Sequence, residues 1–154
     1  MIQSPAIQYL EKLGIPFRVF THTAPIATIE QAAAERNQTV DQIIRSILFR
    51  YESNQFVMVL INGENQVSWL SLRQHLKTNR TAMATVQEVM TITGYSPGAV
   101  TPFGLITPIP ILSDENVFQV SEISIGSGIR GSTIILLSKD LLRACPQIEI
   151  LKLS

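Results

Sequence analysis

Six consecutive residues, Phe56-Val57-Met58-Val59-Leu60-Ile61, are apolar without interruption. A strand with one wet face alternates apolar and polar side chains, so an unbroken run needs cover on both faces. That requirement points to a layered fold with this strand at its centre. The chain has 154 residues, enough to bury roughly two-thirds of its unfolded surface and supply such layers. Asn62-Gly63 marks a turn after the run, and Ile43–Tyr51 before it is also rich in strand formers.

Around this centre the remaining elements read from their punctuation. Ser4-Pro5 opens a helix whose Ile7, Leu10 and Leu13 share a face, and Gly14 stops it. Thr28-Ile29-Glu30-Gln31 and Thr85-Val86-Gln87-Glu88 are capping boxes that start two further helices. A short helical turn begins near Thr39. Leu70–Lys77 and the segment after Ser138 are helical, and strands are expected at Phe17–Thr21, Ile109–Leu112, Glu122–Ile125, Ser132–Leu137 and Ile148–Leu151. Strands outnumber helices and do not alternate regularly with them. The expected fold is α+β: a single domain over residues 1–154, with a mixed, curved, barrel-like sheet flanked by helices.

Several functional classes are disfavoured. Twelve basic and twelve acidic residues leave no net charge, so any nucleic acid must be gripped locally. One cysteine, Cys145, excludes an internal disulfide and any CxxC metal site, and two histidines distant in sequence, His22 and His75, argue against a zinc centre. No apolar run approaches the roughly 18 residues of a membrane span, and no signal-peptide pattern opens the chain. The expectation is a cytoplasmic protein without metal or cofactor, and with no membrane or DNA partner.

Gly126-Ser127-Gly128-Ile129-Arg130-Gly131 spells the GxGxxG of dinucleotide sites, but Ser132–Leu137 after it favours a strand instead of the required helix. The segment reads either as a tight hairpin, which is favoured from these residues alone, or as a turn whose backbone N–H groups approach a ligand. Gly94–Gly104 holds three of the eight glycines and two of the eight prolines. Arg45 interrupts an apolar strand, where a cation must face water, a carboxylate or an anionic ligand. His22 either lines a pocket or faces solvent from a loop, and His75 reads as a surface residue. Asp114-Glu115 reads as an acid/base pair or a polar turn, and Cys145 as structural. No catalytic triad or paired-carboxylate spacing is visible. Any catalysis should therefore draw on backbone donors, positioning and the substrate itself.

Four segments together resemble the YbaK family of aminoacyl-tRNA deacylases, related to the editing domain of bacterial prolyl-tRNA synthetases. They are Thr28-Ile29-Glu30-Gln31-Ala32, Ile44-Arg45-Ser46-Ile47-Leu48-Phe49, the loop Thr93–Gly104 (TGYSPGAVTPFG) and Gly126–Gly131. The similarity runs over roughly residues 3 to 145, and the TGY loop is its most specific part. It implies metal-free hydrolysis of the ester between a wrong amino acid and the terminal ribose of a tRNA, assisted by the ribose hydroxyl or, in cysteine-specific members, the substrate thiol. Arg45 occupies the position of the family's functional lysine and is the implied catalytic residue. Phe20, His22, Thr28, Gly98, Gly126, Ser127, Gly128, Arg130 and Thr133 are the implied substrate-binding residues. Thr133 replaces an aspartate, Gly126 a serine and Phe20 a tyrosine of the cysteine-specific members. The implied partners are the acceptor end of a tRNA carrying an amino acid and an aminoacyl-tRNA synthetase. A non-catalytic module that retains the pocket and binds aminoacyl-tRNA or a synthetase is the alternative.

Overall fold

In the computed structural model, which describes residues 3–23, 25 and 27–154, the apolar run lies in strand β3 (Gln55–Asn62), whose residues Val57 to Ile61 are inaccessible to solvent. Its side chains alternate between two cores. Met58 and Leu60 pack with Leu10, Ile123 and Ile134, while Val57 and Val59 pack with Phe49, Leu72 and Leu153. Each such side chain contributes about 1.5–3 kcal/mol by leaving water. The double cover expected from the run is thus met by different elements on each face.

The other elements are α1 (Pro5–Leu13), β1 (Arg18–Thr21), α2 (Ile29–Glu35), β2 (Ile44–Tyr51), α3 (Trp69–Leu76), β4 (Thr81–Met83), α4 (Val86–Thr93), β5 (Ile111–Asp114), β6 (Glu122–Gly126), β7 (Ser132–Leu137), α5 (Ser138–Ala144) and β8 (Glu149–Leu151). Their termini follow side-chain chemistry. Ser4 Oγ accepts from the Ile7 amide to start α1, Thr28 Oγ1 accepts from Gln31 to start α2, and Thr85 and Glu88 close a reciprocal capping box on α4. None of the described helices is long and apolar enough to cross a membrane.

The fold is α+β and its strands are mixed. They form a five-stranded sheet, β4-β2-β3-β5-β8, and a three-stranded sheet, β1-β7-β6. β2 and β3 pair antiparallel along their whole length, whereas β3–β5 and β5–β8 are parallel. Neither sheet closes into a barrel. One parallel bridge, Ile43 to Ser124, joins them. Beyond that bridge β2 and β6 both line a cavity, and the site opens there.

The start of β5 and the presence of β4 differ from the sequence reading for physical reasons. β5 starts at Ile111, not Ile109, because Pro110 has no N–H to give a ladder and only accepts, from Met58 N, at 3.0 Å. β4 pairs with just Phe49 to Tyr51 and carries no turn signals of its own.

Candidate functional site

The site is built where two loops press together. Gly94 ends α4, and Tyr95 turns inward so that its hydroxyl donates to the Phe103 carbonyl at 2.6 Å. Burial pushes that phenol up to about 12. Ser96 to Ala99 then make a tight turn, with Ala99 N donating to Ser96 O at 3.1 Å. Pro97 and Gly98, the latter at φ +86°, fit the second and third positions of a type II turn. Such a turn leaves the amide of its third residue unused, and the Gly98 N–H has no partner among the described residues.

The second loop, between β6 and β7, packs directly on the first. Gly128 N donates to Ala99 O at 3.0 Å. A Cβ on Gly126 would stand 2.2 Å from Val100 O, so only glycine permits the approach of the two backbones.

Between this double loop and β2 lies a cavity of about 360 Å³, within the range of small-molecule sites. Arg45 and Ser46 of β2, Ser124 and Gly126 of β6, Thr133 of β7, Gly98 and Arg36 are among the residues that line it. A neighbouring cavity of about 500 Å³ is lined by His22, Pro25, Ala32, Arg36, Gly98, Arg130, Gly131 and Ser132. Arg36, Gly98 and Ser132 border both.

Arg45 projects from β2 with one Nη donating to the Asn65 carbonyl, while its Nε–H is buried without a partner. Burial lowers the guanidinium's pKa, and nearby Glu64 opposes that shift. Glu64 itself shares a hydrogen bond with Glu30, which raises Glu64 and lowers Glu30. Ser46 Oγ is likewise buried and unpaired. Arg130 makes no ion pair among the described residues and lies against Gly98, whose Cβ would sit 3.7 Å from its Nε.

Other residues implied by the resemblance are distributed around these walls. The His22 side chain is 8 % exposed, so of the two readings of this loop histidine the solvent-facing one does not hold, and Phe20 meets its ring edge-on at 5.2 Å. Thr133 Oγ1 donates to Ile125 O at 2.8 Å. Ser127 is fully buried and its Oγ meets Ser132 Oγ at 2.6 Å and accepts from Ile129 N. Gly128 packs on the Tyr95 ring, and Thr28 is an exposed cap of α2. Arg45, Gly98, Gly126 and Thr133 therefore share the smaller cavity, with His22 and Arg130 on the larger. Phe20 stands behind His22, while Thr28, Ser127 and Gly128 take part in capping and loop packing.

Arg36, like the serines Ser46, Ser124 and Ser132, is a site residue that the sequence did not single out. It follows the last turn of α2, where a cation usually faces solvent and complements the helix dipole. Here Nη1 donates to Ser124 Oγ at 2.8 Å and Nη2 to His22 Nε2 at 2.9 Å. Because Nε2 accepts, the His22 proton is on Nδ1, which donates to Glu35 Oε2 at 2.9 Å. Burial depresses the Arg36 pKa, partly offset by Glu35.

The remaining candidates serve structure. His75 pairs with Glu149 at 3.5 Å, and Asp114 is fully buried with its carboxylate holding the C-terminal backbone. Cys145 is buried, which pushes its thiol up to about 12.

Residues 23–144 match the family model of the aminoacyl-tRNA editing domain. The chain is 31% identical over 104 residues, 68% of its length, to a proline–tRNA ligase of Kosmotoga olearia. It is 28% identical over 106 residues, 69% of its length, to a proline–tRNA ligase of Macrococcus caseolyticus. In both cases it spans only 18% of the relative. Among solved structures, a protein proposed as a trans-editing enzyme for prolyl-tRNA synthetase superposes with a TM-score of 0.89 at 25% identity, covering 100% of this chain and 99% of that one.

Proposed function

The chain belongs to the aminoacyl-tRNA editing domain family, and from that premise we propose that it is a trans-acting deacylase that hydrolyses the ester of a mischarged tRNA. The observation that carries this reading is the pair of neighbouring cavities that share Arg36, Gly98 and Ser132 as lining residues. An aminoacyl ester has the same plan, with a small acyl group on one side of a bond and a nucleotide on the other. The names of the relatives favour a proline-accepting tRNA and a link to its synthetase. The setting proposed with it is the cytoplasm, where aminoacyl-tRNA is made and used.

In this scheme the smaller cavity takes the amino acid and the larger one the terminal nucleoside. Arg130, beside Gly98 and without an ion pair among the described residues, meets the phosphate end, and Arg45 acts from the β2 wall. Water adds to the ester carbonyl carbon, and the bond to the ribose oxygen breaks. The proton lost by the water is delivered to that oxygen, with the neighbouring ribose hydroxyl as the assisting group. Free amino acid and tRNA result. No step requires a protein nucleophile, because alignment and fixed donors lower the barrier.

The test is deacylation of a panel of mischarged tRNAs by the protein and by Arg45→Ala. Turnover of at least one member, reduced in the variant, is the expected result. No turnover on any member, with Arg45→Ala indistinguishable from wild type, contradicts the proposal. A second reading is favoured by one feature: the Arg45 head is tied to the Asn65 carbonyl. In that reading the protein binds aminoacyl-tRNA without hydrolysing it, and saturable binding with no release of amino acid identifies it.

A further inference from the structure

We infer that Arg36 is a catalytic residue whose guanidinium, together with the Gly98 amide, receives the charge that develops on the ester carbonyl oxygen. This rests on the deacylase reading and adds to it a residue with a defined role. The first argument is position. Arg36 and Gly98 border both cavities, so they flank the place where an amino acid in one chamber must be bonded to a nucleoside in the other.

Donor arithmetic is the second argument. A guanidinium carries five N–H groups. In Arg36 one Nη1–H goes to Ser124, one Nη2–H goes to His22, and the Nε–H is buried and unpaired. One hydrogen on each Nη remains for a ligand. Gly98 adds an amide N–H with no partner among the described residues. Paired donors of this kind are what a tetrahedral oxyanion needs, and they help most in a partly desolvated site where they are already oriented.

The third argument is how the head is held. Glu35 accepts from His22 Nδ1, His22 Nε2 accepts from Arg36, and Ser124 anchors the other Nη. This chain fixes the plane of the guanidinium before substrate arrives. Glu35 and His22 are then positioning residues that act through Arg36. In the reaction the attacking water forms its bond to the carbonyl carbon while the carbonyl π pair moves onto oxygen, which accepts from Arg36 and Gly98. Collapse restores the carbonyl, breaks the bond to the ribose oxygen, and the water's proton ends on that oxygen.

The experiment compares wild type, Arg36→Gln and Ser124→Ala on whichever aminoacyl-tRNA the wild type hydrolyses. It also measures binding of two adenosine probes: an alanyl 3′-amide, which mimics the ground state, and a 3′-phosphonate, which carries a tetrahedral anionic centre. Arg36→Gln should lower kcat on the order of 10²-fold with KM changed by less than about threefold. It should weaken the phosphonate by a similar factor and leave the amide bound as before. Ser124→Ala should give a smaller loss, on the order of tenfold, by loosening the same head. If Arg36→Gln does not fold, as read by thermal melting, Arg36→Lys keeps the charge without the fork and should show the same selective loss in smaller measure. Unchanged kcat, or equal weakening of both probes, overturns the inference while leaving deacylation intact. A wild type that is inactive on every tRNA contradicts the deacylase reading instead. In that case a phosphonate bound no tighter than the amide overturns the role of Arg36 as well.

Discussion

Replacing Gly126 with alanine puts a methyl carbon 2.2 Å from Val100 O, 3.1 Å from Val100 C and 3.2 Å from Ala99 O. All three are backbone atoms, so no side chain can swing away to relieve the contact. Ordinary van der Waals separation requires the loops to part by roughly 1 Å. Gly126 is not among the glycines with positive φ, so the penalty is collision and not backbone conformation. Overpacking of this kind costs about 1–3 kcal/mol. In a chain of this size each kcal/mol lowers Tm by about 2–4 °C. The displaced backbone is the wall that carries Gly98, and a shift near 1 Å at a catalytic site lowers rate on the order of 10²-fold. Gly14→Ala, at the end of α1 and outside both cavities, is the control: its φ is +69° and nothing lies within 4 Å of its Cβ, so it bears only the left-handed strain of about 1–2 kcal/mol. Thermal melts and single-turnover deacylation of the three proteins separate the effects. Gly126→Ala should lose both stability and rate, and Gly14→Ala mainly stability. A Gly126→Ala protein that melts and turns over like wild type refutes the reasoning. Lost stability with full activity refutes the part that ties loop contact to site geometry.

Other outcomes follow from the same structure. The thiol of Cys145 and the phenol of Tyr95 are both pushed up by burial to about 12, from 9.0 and 10.0. Each holds its proton in the folded state when the unfolded chain has lost it, so their contribution is complete below about pH 9 and disappears between there and about pH 12. The urea midpoint should fall across that window, and less steeply in Tyr95→Phe. Asp114→Ala should destabilise by about 3 kcal/mol, because Oδ1 accepts from Leu153 N at 2.7 Å and Ser154 N at 3.0 Å and both amides lose their charged partner. Urea unfolding gives the size, and faster hydrogen exchange at Leu153 gives the place. Arg45→Ala should reduce kcat/KM more than Arg45→Lys, which keeps a cation on the β2 wall.

The parts of this architecture that were legible in the chain are those governed by local chemistry. The run Phe56 to Ile61 announces a strand covered on both faces, and Ser4-Pro5 and the Thr85–Glu88 box announce helix starts, because neighbouring residues alone set those preferences. The glycine and proline rhythm of Thr93–Gly104 announces a shaped loop for the same reason. Arg36 was invisible because its meaning depends on Ser124, 88 residues away, and on the inward turn of His22. Asp114 looked like part of a polar turn, since nothing nearby in sequence tells that the chain end returns to cover it. The expected mixed, curved, barrel-like sheet is present as two open sheets, bridged at Ile43 and Ser124 beside the cavity that β2 and β6 both line. No local pattern encodes where two sheets meet.

Release of amino acid from one tRNA charged in two ways tests the central claim most directly. A proline-accepting tRNA is charged either with proline or with a smaller, wrong amino acid, and its decay is followed with and without the protein. The account predicts that the mischarged form loses its amino acid at a rate proportional to enzyme concentration, at least on the order of tenfold above buffer, while the prolyl form decays at the buffer rate. Decay of both at the buffer rate, with alternative mischarged tRNAs equally untouched, contradicts it.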